Sequence, residues 1–298
     1  MVTQKKLSIH NTLGLIAIFL WSTGSLAASH TTRLPPFQIL AIALSLNIPI
    51  LACKLLSKKN WHVFKLSPSI WLVGLGGTFG QLVTFILAFK YAPPAYADVI
   101  IHLWPLFVMV MMTLIFKTPF EMKYKISLML GIAAIFLLNC NQEVCDFTPT
   151  TCLGLFFAAV CGGILAFYTA FFRNSKANMT ELISYFLGFS GVLSCIFHLQ
   201  FESFVQPTFV EACWLGYMAM MTHGLAYYGW NAGLKGGNIK LLTSMCCAIP
   251  VLSINFLCLF GNSTYTREIL LASLLIMAGC VINCMHFRPV EKLKLAES

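Results

Sequence analysis

Acidic residues are scarce: Asp and Glu together number 10 in 298 residues, and all charged residues make up only 10%. A soluble globular chain carries about a quarter charged residues. With so little charge the chain lacks the material for a water-facing surface, which excludes an ordinary soluble domain. Long linkers and low-complexity tracts are also missing, and the longest loops run to only about a dozen residues. No paired acids and no Ser-His-Asp set can be argued from spacing, and no GxxxxGK[ST] run occurs; the "GLGG" of 74–77 lies inside an apolar block. No enzyme and no cofactor is therefore expected. The period-two alternation that marks a half-buried strand is absent as well.

What is present is apolar. Hydrophobic residues make up 58% of the chain, in blocks near the ~20 residues that cross a bilayer as helix. Only helices and closed barrels satisfy the backbone in lipid, and runs without alternation select helices. The expected fold is an all-α polytopic membrane protein with ten transmembrane helices, near 11–28, 36–56, 69–90, 95–116, 124–140, 151–172, 179–199, 211–234, 239–260 and 268–287. The very short connections at 91–94 and 235–238 hold "APP" and "KGGN", turn residues that divide otherwise overlong apolar stretches. The first span follows Lys5 and Lys6 and ends in "SLAAS". That resembles a signal peptide, but the expectation is an uncleaved first helix.

Basic residues orient the chain. With the N-terminus in the cytoplasm, the outer segments hold only Arg33, Lys90 and Arg267, and the other sixteen of the 19 Lys and Arg fall inside. Short loops are where this bias sets topology, so both termini are expected to be cytoplasmic. The net charge of +9 is then an orientation signal, with contact to anionic lipid as a by-product. Spread over six segments, it gives no reason to expect nucleic acid. Most of the 12 cysteines lie within spans as small apolar packing residues. Cys140, Cys145 and Cys152 fall at or near an outer loop, where a disulfide is an open alternative if that side is oxidising. No histidine accompanies them, which argues against zinc or any other metal site.

An internal repeat is visible. "LAFKYAPPAYADVIIHLWPLF" and "NAGLKGGNIKLLTSMCCAIPVL" align at a constant offset of 145, at Lys90/Lys235 and Pro105/Pro250. Each is a span, a lysine, a tight turn, and a span broken by proline. The offset divides the chain into two five-helix repeats, 1–145 and 146–298. Five is odd, so the two repeats are inverted relative to each other, a construction used by secondary transporters. The competing explanation is duplication within a membrane scaffold of another function.

The stretch "IIHLWPLFVMVMM" at 100–112 places a titratable ring, an indole and a helix breaker at one depth. Asp98, His102, Pro105, Met109 and Met112 share one helical face. Ionisable groups facing lipid are costly, so that face is expected to line a pathway in the protein interior. A histidine bonded to a neighbouring carbonyl is the alternative for His102. In "THGLAYYGWNAGL", His223, Tyr227 and Trp230 form one stripe and Asn231 lies beside it. Trp230 also suits an interfacial anchor. Trp21, Ser22 and Ser25 of span one are candidate cavity residues, or else small residues for close helix packing. The candidate substrate-binding residues are thus Trp21, Ser22, His102, Trp104, Tyr227, Trp230 and Asn231, with Trp104 and Trp230 expected at one cavity. The candidate proton-coupling groups are Asp98, His102 and His223, and the helix breaks lie at Pro105 and Pro250. Gln81 and Tyr168 are weaker candidates, and Lys90 is read as a local ion partner of Asp98.

On "LIAIFLWSTG", "HLWPLF" and "GLAYYGWNAGLKGGN…IPVLS" the chain resembles the drug/metabolite transporter (EamA-like) superfamily over essentially its whole length, and within it the bacterial aromatic amino acid exporter branch. The resemblance implies a multi-pass carrier in the bacterial inner membrane, with a central cavity lined by both halves. Trp21, Trp104, Pro105, Trp230, Asn231 and Pro250 match its motif positions. The asparagine and tyrosine usual before Leu-Trp-Pro are here Ile101 and His102, and the acidic residue usual near the start of span four is displaced to Asp98. The expected function is a secondary transporter, an exporter of small amino-acid-like or aromatic metabolites working by alternating access. Two rivals are an uptake or exchange carrier for an adenosylated or nucleotide-like metabolite such as S-adenosylmethionine, and a non-transporting scaffold or sensor. Oligomeric state is not legible.

Overall fold

A computed structural model describes residues 2–117, 121–139, 148–175, 178–261 and 263–284. Among the described residues every regular element is helical. The helices are α1 (Val2–Ser22), α2 (Gly24–Ser29), α3 (Pro36–Ala43), α4 (Asn47–Leu56), α5 (Pro68–Tyr91), α6 (Pro94–Ile101), α7 (Trp104–Phe116) and α8 (Met122–Asn139). They continue with α9 (Pro149–Asn174), α10 (Met179–Phe201), α11 (Phe209–Tyr217), α12 (Ala226–Gly236), α13 (Ile239–Cys246), α14 (Ile249–Phe260) and α15 (Arg267–Cys284). A 3₁₀ segment, Lys58–Lys65, joins α4 to α5, and a π-helical segment, Met218–Leu225, joins α11 to α12.

Proline starts many of these helices. Pro36, Pro68, Pro94, Pro105, Pro149 and Pro250 all sit in first turns, where the missing N–H has no intrahelical partner to lose. At Pro105 this has a larger consequence. A continuous helix would need its N–H to donate to Ile101 O, so the helix stops at Ile101 and restarts at Trp104. The break thus falls ahead of the proline. Pro250 does the same between α13 and α14.

Five helical stretches are long and apolar enough to cross a bilayer: Ile9–Ser29, Pro68–Tyr91, Pro94–Ile115, Pro149–Phe172 and Glu181–Phe201. The pair α3 and α4 makes a sixth, bent by 57° at its break. The other four positions of the ten-span reading hold α8, α11 to α12, α13 with α14, and α15. These are shorter or interrupted: α8 and α15 have 18 residues each, or ~27 Å of helix. Large apolar side chains point away from the bundle, among them Leu72, Phe136 and Leu199, which are 76%, 70% and 83% exposed. Such a surface suits lipid, where a helix satisfies its own backbone.

Inside, α5 packs along α9, α1 along α12, α8 along α15, α10 on both α3 and α4, and α6 on α14. The closest approaches need glycine. A Cβ at Gly154 of α9 would lie 2.4 Å from Ala92 N, just past α5, and one at Gly233 of α12 would lie 3.0 Å from Gly14 Cα of α1.

The loop before α3 is tied to the loop before α11. Arg33 donates to both Glu211 oxygens, at 2.9 and 2.6 Å, a bidentate pair that holds its guanidinium above its ordinary range, mainly through that hydrogen bond. Glu202 accepts from Phe37 N and Gln38 N, both at 3.0 Å, neutralising the open N-terminus of α3. Lys90 corrects an expectation here: its ammonium donates to the carbonyls of Thr32 and Leu34 at 3.1 and 3.0 Å, and the groups on Asp98 are others, given below. Two unpaired loop carbonyls within reach of a long side chain outcompete a carboxylate buried eight positions along the chain.

Candidate functional site

Residues from both sequence halves meet where α1 crosses α12. The small residues Gly14, Gly229 and Gly233 let the two backbones approach closely. The aromatic residues one to three turns away are thereby brought into contact. Trp21 meets Tyr227 edge-on at 5.3 Å between ring centroids and Trp230 at 5.5 Å, tilted by 54°. His223 stacks on Tyr227 at 6.4 Å. Such pairs are individually worth about 0.5–1.5 kcal/mol beyond their buried area, so the cluster forms a stiff apolar wall.

Span eight bends its polar groups toward this wall through the π segment. His223 Nδ1 lies 3.0 Å from Thr222 Oγ1 and 3.2 Å from Met218 O. The carbonyl of His223 accepts from Asn47 Nδ2 at 3.2 Å, at the start of α4 just past the bend. A π turn misaligns local carbonyls and leaves them for side chains, which is why such turns concentrate at functional sites. Asn231 donates to Tyr227 O at 2.9 Å within its own helix. Behind the wall, Cys161 of α9 bonds Gln81 of α5, with Cys161 Sγ donating to Gln81 O at 3.5 Å. Tyr168 packs on Phe172 at 4.8 Å.

The predicted residues therefore separate. Trp21, Tyr227, Trp230 and His223 are brought together. Ser22 is fully buried and donates to Phe19 O at 2.7 Å, so its hydroxyl serves its own helix. Trp104 is half-buried at the start of α7, and Trp230 packs on Trp21 rather than on it. Of the candidate disulfide cysteines, Cys152 is an exposed thiol, while Cys140 and Cys145 lie outside the described residues.

A second cluster surrounds Asp98, whose side chain is wholly buried. Its Oδ1 accepts from Ser25 Oγ of α2 and, at 2.8 Å, from Ser253 Oγ of α14. His102 Nδ1 lies 3.4 Å from Oδ2 and 2.8 Å from the Asp98 carbonyl. Ser253 was not among the sequence candidates. It lies one turn past Pro250 in an apolar stretch, and only the packing of α14 on α6 gives it a partner.

The EamA-like transporter family matches residues 9–140. An aromatic amino acid exporter, YddG, of Ancylobacter novellus is 30% identical over 280 residues, covering 93% of this chain and 97% of that protein. A crystal structure of a protein 28% identical superposes with a TM-score of 0.66 and covers 93% of this chain and 97% of its own. Apolar helices of spanning length, interrupted at proline and carrying polar residues inward, are what a carrier needs, and the chain belongs to the EamA-like transporter family of membrane transporters.

Proposed function

We propose that the chain exports small aromatic or amino-acid-like solutes across the bacterial inner membrane, alternating access between two inverted five-helix repeats. The observation that carries the solute class is the Trp21–Tyr227–Trp230 cluster, built by one helix from each half. Flat aromatic faces bind flat solutes by stacking, and the relative from Ancylobacter novellus is named for aromatic amino acid export.

The packing supports the inverted plan. Number the ten spans in order and exchange each with the one five places on. The contact of α1 with α12, spans one and eight, becomes that of α9 with α5, spans six and three, and both are extensive. The contact of α7 with α9 becomes that of α14 with α1, and both occur. The pairs α10 with α3 and α4, α6 with α14, and α8 with α15 map onto themselves. Such a pattern suits a pseudo-two-fold axis in the membrane plane. The repeats are 1–145 and 146–298, and the family match ending at residue 140 is in keeping with that division.

Flux into and out of proteoliposomes tests the function. Phenylalanine is expected to show saturable exchange that tryptophan competes with and that alanine barely touches. Absence of saturable phenylalanine or tryptophan flux in a well-inserted preparation would remove the aromatic assignment. Orientation is tested separately: reporter fusions at Lys59, Lys123, Lys176 and Ser298 are expected to report cytoplasm, and those at Asp146, Gln206 and Ser263 the outside. A cytoplasmic signal at Asp146 would overturn both the orientation and the five-plus-five division.

A further inference from the structure

We propose that Asp98, with His102, Ser25 and Ser253, is a proton-binding site whose loaded form clamps the two halves of the carrier together; this rests on the transport reading above. Three interrupted spans converge at the site. Ser25 follows the break at Thr23, Asp98 lies one turn before the break at His102, and Ser253 lies one turn after the restart at Ile249. The helices α2, α6 and α14 pack on one another, so one carboxylate links two spans of the first half to one of the second.

The hydrogen bonding is lopsided. Oδ1 accepts two hydroxyls, while Oδ2 is buried with no hydrogen-bond donor. An ionised carboxylate buried that way is strongly disfavoured. The nearest neutralising group is the His102 imidazole, at 3.4 Å. Among the described side chains, the other titratable groups on elements packed against α6 are Lys90 and Tyr91 at the end of α5, Cys152, Cys161 and Tyr168 on α9, Cys258 on α14, and Arg267, Glu268 and Cys280 on α15. Lys90 is engaged by the Thr32 and Leu34 carbonyls, and the Cys258 thiol donates to the Thr264 carbonyl at 3.8 Å.

One proton therefore sits on Oδ2, the oxygen without a donor, beside a neutral imidazole whose Nδ1–H donates to the Asp98 carbonyl at 2.8 Å. That form is compatible with burial. Removing that proton leaves a bare carboxylate beside a neutral ring, which needs water and hence separation of α14 from α2 and α6. The proton is taken from water on one side and returned to water on the other, with no other bond made or broken. Closure of the junction is accordingly favoured while the proton is bound and lost as pH rises past its release.

The test uses the full-length protein in two arms. Infrared difference spectra across a pH titration in detergent are expected to show a protonated-carboxyl C=O band that Asp98→Asn abolishes. Ser253→Ala is expected to move that band to higher wavenumber, because the carbonyl loses one of its two donors. A band unchanged in both variants would overturn the site. In the second arm, vesicles loaded with phenylalanine and a pH dye are placed in acid medium. Proton entry is expected to accompany phenylalanine efflux and to be lost in Asp98→Asn. Saturable phenylalanine efflux indifferent to the pH gradient would overturn the coupling and leave the carrier standing. If phenylalanine does not move at all, the solute assignment fails and the infrared arm alone decides the site.

Discussion

Trp21→Ala is expected to weaken the apparent affinity for phenylalanine by roughly 2- to 10-fold while leaving the protein folded and inserted. Trp21 is the common member of two ring pairs, with Tyr227 at 5.3 Å and Trp230 at 5.5 Å. A solute ring stacked on the Trp21 face gains about 0.5–1.5 kcal/mol, and loss of that one contact is the stated range in a binding constant. Trp21→Phe keeps a ring in place and is expected to recover part of the loss. Trp104→Ala is expected to lose less, because Trp104 shares no ring contact with this cluster. Competition by a graded set of solutes, phenylalanine against phenethylamine and alanine, reads the effect in vesicles of each variant. Equal affinities in wild type and Trp21→Ala would reduce the cluster to packing and move the solute site elsewhere.

Gly154→Ala is expected to cost about 1–3 kcal/mol of stability through overpacking, although alanine is the better helix former by up to ~1 kcal/mol. The added methyl would lie 2.4 Å from Ala92 N and 2.6 Å from Tyr91 C. Those are backbone atoms, which cannot swing aside as a side chain does. Relief requires α9 to move off α5, against which it packs extensively. Gly163, on the same helix, has open space at its Cβ position. Gly163→Ala is therefore expected to be neutral or to stabilise by ~0.5–1 kcal/mol. Thermal unfolding in detergent of the two variants beside wild type measures the contrast. If both variants melt together, α9 does not approach α5 at residue 154.

Hydropathy alone determined that the chain is helical and membrane-bound, because lipid permits so few backbone solutions. The breaks at Pro105 and Pro250 were equally legible, since proline removes a particular N–H from a particular turn. The bend between α3 and α4 belongs with them, because Pro49 in the first turn of α4 has no N–H to donate to Ser45 O in the break. The π segment before α12 was not legible: no proline lies in it, and its carbonyls take partners from another helix, as Asn47 donating to the His223 carbonyl at 3.2 Å shows. The site divides the same way. Trp21, Tyr227, Trp230, Asp98 and His102 stand out as polar or bulky residues in apolar runs. Which of them touch is decided by helix crossings, and a crossing depends on small residues from two distant segments, as Gly14 and Gly233 show. Sequence order puts Lys90 near Asp98, yet the folded chain gives Lys90 to loop carbonyls and gives Asp98 to Ser25 and Ser253, 73 and 155 residues away. Local spacing reports the faces of one helix. Only the tertiary structure decides which faces meet, because a buried carboxylate takes its donors from whatever the packing of three separate spans places within reach.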